Sequence, residues 1–178
     1  VFLGDVPPTT VNAEQWDGSS WTEVANTATA RKLLGGAAAS GSSAIAFAGY
    51  DGSNNLTATE EWDNTSTLAA GAWASGGDLN TAASALGRGG TQTAAIKIGG
   101  STPSMIDNTE TYDGSSWTEV ADLNNARGEA GSDGTQTAAL IVAGEDTANT
   151  ATVEEWDGSS WTEIADVNTA RRRGAGTG

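Results

Sequence analysis

The stretch EQWDGSSWTEV, Glu14 to Val24, returns as ETYDGSSWTEV from Glu110 to Val120 and as EEWDGSSWTEI from Glu154 to Ile164. A looser copy opens with EEWDNTST at Glu60 and reaches its second Trp only at Trp73. The first aromatic of each pair falls at Trp16, Trp62, Tyr112 and Trp156, and the second at Trp21, Trp73, Trp117 and Trp161. Successive copies lie 44 to 52 residues apart. Self-similarity at such a period is the mark of stacked supersecondary units, and it takes precedence over local propensity.

The rest of the unit repeats as well. GTQTAAIKIGG (Gly90 to Gly100) matches GTQTAALIVAG (Gly134 to Gly144), SSAIAFAG (Ser42 to Gly49) is a diverged copy, and the N-terminal VFLG is the tail of the same element. DLNNARGEAGSDG (Asp122 to Gly134) is echoed by the C-terminal DVNTARRRGAGTG. Each unit reads as four short strands: the Ala/Gly/Arg segment, the TQTAALIVAG run, and then TEEWD and SSWTEV around a tight Asp-Gly turn, where Gly accepts positive φ. With 24 Gly and abundant Thr, no segment sustains a helical period. The chain is predicted to be all-β, a β-propeller of four-stranded antiparallel blades. A single domain over 1–178 holds units at about 1–25 (partial), 26–74, 75–121, 122–165 and 166–178 (partial). A lone blade cannot hide both faces, so the eight paired aromatics are expected to be buried between blades.

Composition narrows the chemistry. The 178 residues carry 23 acidic and 8 basic side chains, a formal net charge of −15, and a field of that sign repels phosphate backbones. No apolar run approaches the ~20 residues of a membrane-spanning helix, so neither nucleic acid nor membrane insertion is expected. The sequence has no His and no Cys. That removes Ser-His-Asp and Cys-His nucleophiles, imidazole and thiolate metal sites and disulfides, leaving carboxylate chemistry or oxygen-ligated metals.

On these residues the chain resembles the kelch family of β-propellers. AGYDGSNNLTATEEWD (Ala48 to Asp63) is similar to the kelch sequence in which strand two ends in Gly, a polar loop follows, and strand three carries an aromatic-Asp pair. Trp21, Trp73, Trp117 and Trp161 match the kelch Trp of strand four, and Arg31, Arg127 and Arg171 match the Arg opening strand one, where another unit has Ala83. The kelch double Gly survives only at Gly99-Gly100, with Ala48-Gly49 and Ala143-Gly144 elsewhere. The near-identical DGSSWTE repeats also resemble, in style and composition, repeat proteins of marine bacteriophages and bacterial surfaces. Kelch-domain oxidases bind copper through His and Tyr, and with no His that activity does not carry over. The sialidase box D-x-G-x-x-W is not matched by Asp17-Gly18-x-x-Trp21.

The candidate ligand-binding residues are few. Asp51, Asn54 and Asn55 offer oxygen atoms in one polar loop, and Asp146 does so in the matching loop. They lack the D-x-D-x-D-G spacing of a Ca²⁺ loop, so no metal and no cofactor are indicated. Arg31, Arg127 and Arg171 recur on the strand expected to line a central channel, either facing an anionic ligand or satisfying groups of the neighbouring blade. The adjacent carboxylates Glu60-Glu61 and Glu154-Glu155 point opposite ways on a strand and read as a solvated or edge-facing pair.

The resulting expectation is a non-catalytic binding or structural propeller of a phage virion appendage, such as a tail fibre, or of an extracellular surface. Its partners would be other virion or surface proteins and a host glycan. The alternatives are a purely architectural decoration protein and, third, a carboxylate-dependent glycoside hydrolase. Val1 aligns inside strand two and Gly178 just before it, so C-terminal strand one around Arg171 would complete the blade of Val1 to Val24 in a four-bladed ring. The absent initiator Met and the ragged ends favour instead a stretch of a longer chain with more blades.

Overall fold

The structure, a computed structural model, describes residues 2–3, 9–64 and 71–174. These form four antiparallel sheets, each following the chain order. The first holds β1 (Phe2–Leu3), β2 (Ala13–Trp16) and β3 (Trp21–Val24); the second holds β4 (Gly35–Ser40), β5 (Ser43–Phe47), β6 (Thr59–Asp63) and β7 (Ala72–Ser75). The third holds β8 (Gly87–Thr91), β9 (Ala94–Thr102), β10 (Ser104–Tyr112) and β11 (Trp117–Glu119). The fourth holds β12 (Gly131–Thr135), β13 (Ala138–Val142), β14 (Val153–Trp156) and β15 (Trp161–Ile164). No helix occurs among the described residues, and the fold is all-β. Among them β1 pairs with β2 alone, so the first sheet has three strands. Val1, Gly4 and residues 175–178, on which closure into a ring turns, lie outside the described residues.

The aromatic pairs are cross-strand neighbours. Trp16 opposes Trp21, Trp62 opposes Trp73, Tyr112 opposes Trp117 and Trp156 opposes Trp161. Their ring centroids lie 5.1–5.7 Å apart and tilted, a favourable arrangement for aromatic quadrupoles. Side chains alternate across each sheet, so the aromatics and the residue two before them share the face toward the preceding sheet. Tyr112 and Trp117 pack on Ile45, Phe47 and Leu79, and Trp156 and Trp161 pack on Ile96, Ile98 and Leu123. Indole donors find hydroxyls across these joints: Trp117 Nε1 donates to Thr59 Oγ1 at 3.0 Å and Trp161 Nε1 to Thr109 Oγ1 at 3.1 Å. Trp62, Tyr112, Trp117, Trp156 and Trp161 are buried. Trp73 is half-buried. The expectation of eight buried aromatics is corrected at the first sheet, where Trp16 is 48% and Trp21 55% exposed. Their face looks toward a preceding sheet, and none precedes theirs among the described residues.

Backbone strain recurs at equivalent positions. Leu33, Ala85, Glu129 and Arg173 all have φ between 50° and 57°, a left-handed conformation that non-glycine residues seldom hold without compensation. A ladder of hydrogen bonds between units holds them: Ala85 N–H to the Leu33 carbonyl at 3.0 Å, Glu129 N–H to Ala85 at 2.8 Å, and Arg173 N–H to Glu129 at 2.6 Å. The small pair ending strand two has a similar explanation. Its first residue has φ of 53–59° at Ala48, Gly99 and Ala143, which Ala tolerates. Its second has φ of 101–117° at Gly49, Gly100 and Gly144, where a Cβ would also sit 2.8–2.9 Å from a backbone carbonyl of the strand-one segment. Gly is therefore required at the second place in these three units, and in the third unit at the first place too, where a Cβ on Gly99 would sit 2.5 Å from the Arg127 carbonyl.

Candidate functional site

The ionisable residues of the repeat are placed by strand alternation. Glu60 on β6, Glu110 on β10 and Glu154 on β14 are buried, whereas Glu61 is half-buried and Glu155 exposed. The reading of each pair as solvated is thus corrected for its first member. That residue turns with the aromatic into the joint and meets the linker that enters its own sheet. Glu60 accepts Ala28 N–H at 2.6 Å and the Arg31 guanidinium. Glu110 accepts Asn80 N–H at 2.8 Å, Asn80 Nδ2 at 2.9 Å and Thr81 N–H at 3.0 Å. Glu154 accepts Asn124 N–H at 2.8 Å, Asn124 Nδ2 at 2.7 Å and the Arg127 guanidinium. The second member looks the other way, and Tyr112 Oη donates to Glu61 of the preceding sheet. Burial and that carboxylate push the Tyr112 phenol up to about 12.

The three candidate arginines do not converge. Arg31 is buried, donating to the carbonyls of Ala48 at 3.2 Å and Ala58 at 2.7 Å and forming an ion pair with Glu60. Arg127 repeats this, with the Thr152 carbonyl at 3.2 Å and an ion pair with Glu154. Burial draws both guanidinium groups below their ordinary value, and the paired glutamates oppose that shift. Arg171 is exposed; its Nε donates to the Thr169 carbonyl at 3.2 Å, as Arg31 Nε does to Thr29 at 3.5 Å.

The loop candidates divide likewise. Asp51 Oδ1 accepts the N–H groups of Ser53 and Asn54, both at 2.7 Å, closing its own turn, and these bonds lower its carboxyl. Asn54 is exposed and its carbonyl accepts Asp51 N–H at 3.1 Å. Asn55 Nδ2 reaches the Ser101 carbonyl of the third sheet at 2.8 Å. Asp146 is exposed, its N–H donating to the Ala148 carbonyl at 3.1 Å. Among the described residues no cluster of three or more carboxylates has a geometry able to hold a metal ion.

One buried cation escaped the sequence reading. Lys97 on β9 is fully buried, lies directly across from Glu110, and donates through Nζ to Asn108 Oδ1 at 2.5 Å and the Asn108 carbonyl at 3.2 Å. Burial draws it down to about 8, against the attraction of Glu110, Glu119, Asp122 and Asp107. The signal was available: the third unit alone has Ala83 where Arg31 and Arg127 stand, and it alone has Lys where Ala46 and Ile141 stand. Its Glu110 meets this cation through Asn108, whose Nδ2 donates to Glu110 Oε1 at 3.3 Å, rather than in a direct ion pair with a linker arginine. Compared with known proteins, the sequence matches no protein-family model and no curated protein.

Proposed function

We propose that the chain is a run of kelch-type β-propeller blades serving as a non-catalytic binding module. It would be carried on a virion appendage such as a tail fibre, or on an extracellular surface, and contact a host glycan or surface protein through its loops. One observation supports this reading. The buried ionisable side chains are engaged within the repeated joints, while the segments around 50–55 and 145–149 present polar side chains on a rigid frame. The acidic surface suits a salt-rich exterior, where self-repulsion is screened.

Glycan-array and whole-cell binding by the isolated chain is the test. Surface binding should weaken on substitution of Asn54 or Asp146, both exposed, with the near-ultraviolet tryptophan signal retained. Absence of binding to any surface would remove the receptor role. It would leave the second reading, an architectural protein decorating a capsid or fibre, which the exposed aromatic face of the first sheet favours. Polysaccharide turnover abolished by one Asp or Glu substitution would instead promote a hydrolase.

A further inference from the structure

The third unit departs from the second and fourth at two positions, and the two departures lie together. Lys97 stands where β5 has Ala46 and β13 has Ile141. Asn108 stands two residues before the buried glutamate, where the other units have Ala58 and Thr152. The pairing of β9 with β10 shifts register between Ile106 and Thr109, and Asn108 sits within that bulge. A bulge re-aims a side chain out of strict alternation, and here the Asn108 carboxamide meets a side chain of β9.

Three reactive groups meet there. Lys97 Nζ donates to Asn108 Oδ1 at 2.5 Å, and the same carboxamide donates through Nδ2 to Glu110 Oε1 at 3.3 Å. Lys97 and Glu110 lie directly across from one another, and both are 0% exposed. Strand alternation puts them on the face of the apolar cluster that includes Leu79, Leu86, Ala95 and Tyr112. An amine thus touches the oxygen of an amide while a carboxylate touches its nitrogen. The linker holds that carboxylate in place, through Asn80 N–H at 2.8 Å and Thr81 N–H at 3.0 Å. Burial draws the Lys97 amine down to about 8, against the attraction of Glu110, Glu119, Asp122 and Asp107, so a share of it is neutral in ordinary buffers. A desolvated, neutral lysine is a nucleophile.

We propose that Lys97 and Asn108 join in an intramolecular amide bond between strands two and three of the third unit, with Glu110 carrying the proton. The carboxamide turns about its terminal torsion, a soft one in Asn, and the neutral Nζ attacks the side-chain carbon to form the Nζ–Cγ bond. Glu110 takes a proton from the attacking nitrogen and returns it to Nδ2. The Cγ–Nδ2 bond then breaks with its electron pair on nitrogen, and ammonia leaves. Amine and carboxamide give amide and ammonia, so the step balances without a co-reactant. Holding both groups in contact makes the reaction effectively unimolecular. The second and fourth units cannot follow, because Ala46 with Ala58 and Ile141 with Thr152 offer neither amine nor carboxamide. Stability of the freshly folded chain responds to the Lys97 proton, and that of the linked chain does not.

Intact-mass measurement of the 178-residue chain, incubated folded and then unfolded and digested with trypsin, tests this. The chain should become lighter by the mass of one ammonia. Trypsin should no longer cut after Lys97, and residues 89–127 should appear as one peptide, lighter by the same amount. K97R keeps the charge without a nucleophilic amine, and N108A removes the carboxamide. Each should keep the tryptophan near-ultraviolet signal and the full mass. E110Q should slow linkage by more than about a hundredfold, and wild-type chain held in urea should not link. Full mass with Lys97 still cleaved, after prolonged incubation of the folded chain, would overturn the proposal. So would ammonia loss that persists in K97R or leaves the Lys97 cut intact, since Asn108 would then have cyclised onto its own backbone. Linkage in folded E110Q at the wild-type rate would overturn the role given to Glu110.

Discussion

Lys97 shows one side chain restoring what another position lost. Glu110 has the buried setting of Glu60 and Glu154 but no linker arginine, and a lysine directly across the sheet supplies a buried cation that reaches it through Asn108. The substitute is costly because an ammonium is buried, and the cost has a pH signature. The folded chain releases the Lys97 proton near pH 8, while the unfolded chain holds it to about 10.4. Between those values the unfolded state binds the extra proton, so stability rises with pH. Urea unfolding should show the wild type gaining about 2 kcal/mol from pH 8 to 10 relative to K97M. Above pH 10 the raised Tyr112 phenol acts oppositely, since the unfolded chain ionises first and stability falls. A second residue-scale test concerns Trp73, whose buried Nε1 has no acceptor among the described residues. Thr59 and Thr109 serve Trp117 and Trp161, but the equivalent residue facing Trp73 is Ala13. A13T should therefore stabilise by about 1 kcal/mol, and T109A should cost about 1–3 kcal/mol by orphaning Trp161. Equal and negligible shifts in both would show that these indole bonds carry no net energy.

At the scale of the element, the hairpins joining strands three and four are built on one carboxylate. Asp157 accepts the N–H groups of Ser159 and Ser160, each at 2.8 Å, along with both hydroxyls, and Asp17 and Asp113 do the same in their units. These bonds hold Asp113 and Asp157 at about 2, below an ordinary carboxyl. A depressed folded value means the turn is fully supported above about pH 4 and loses that support as pH falls through about 2. Amide shifts of Ser159 and Ser160 should titrate with a midpoint near 2, and D157N should abolish that titration; a midpoint near 4 would show the bonds absent in solution. These hairpins were legible as D-G turns, and the strands as repeated runs, because local chemistry alone fixes both. Which glutamate of EEW is buried was not legible, because it depends on which face meets a preceding sheet. Lys97 was missed for a related reason. In one strand a charged residue among Ala, Ile and Gly reads as an outward position, and only its opposition to Glu110 makes it an inward one. The exposure of Trp16 and Trp21 depends on what lies against the first sheet, which no unit encodes by itself.

For the whole molecule, the repeat makes a stronger claim than similarity of shape: each joint needs one glutamate, one cation and an aromatic pair, while the cation's origin is free. Arg31 and Arg127 come from linkers, and Lys97 comes from strand two. If the joints are truly equivalent, the third unit should accept the arrangement of the fourth. A83R alone adds a second cation to a joint already filled by Lys97, so steric and like-charge costs should lower stability. K97I alone removes the cation that Glu110 meets through Asn108, which accepts from Lys97 Nζ at 2.5 Å and donates to Glu110 at 3.3 Å. Leaving those buried polar groups short of a partner should cost about 1–3 kcal/mol. In the double variant the incoming guanidinium should reach Glu110 as Arg127 reaches Glu154, while the K97I side chain reproduces Ile141 of the fourth unit. Its stability should lie closer to the wild type than the sum of the single losses, with a coupling of roughly 1–3 kcal/mol by urea unfolding. Strictly additive losses would mean that Ala83 and Lys97 answer to their own surroundings. Equivalence between units would then extend to the backbone and the aromatics but not to the charges that fill the joints.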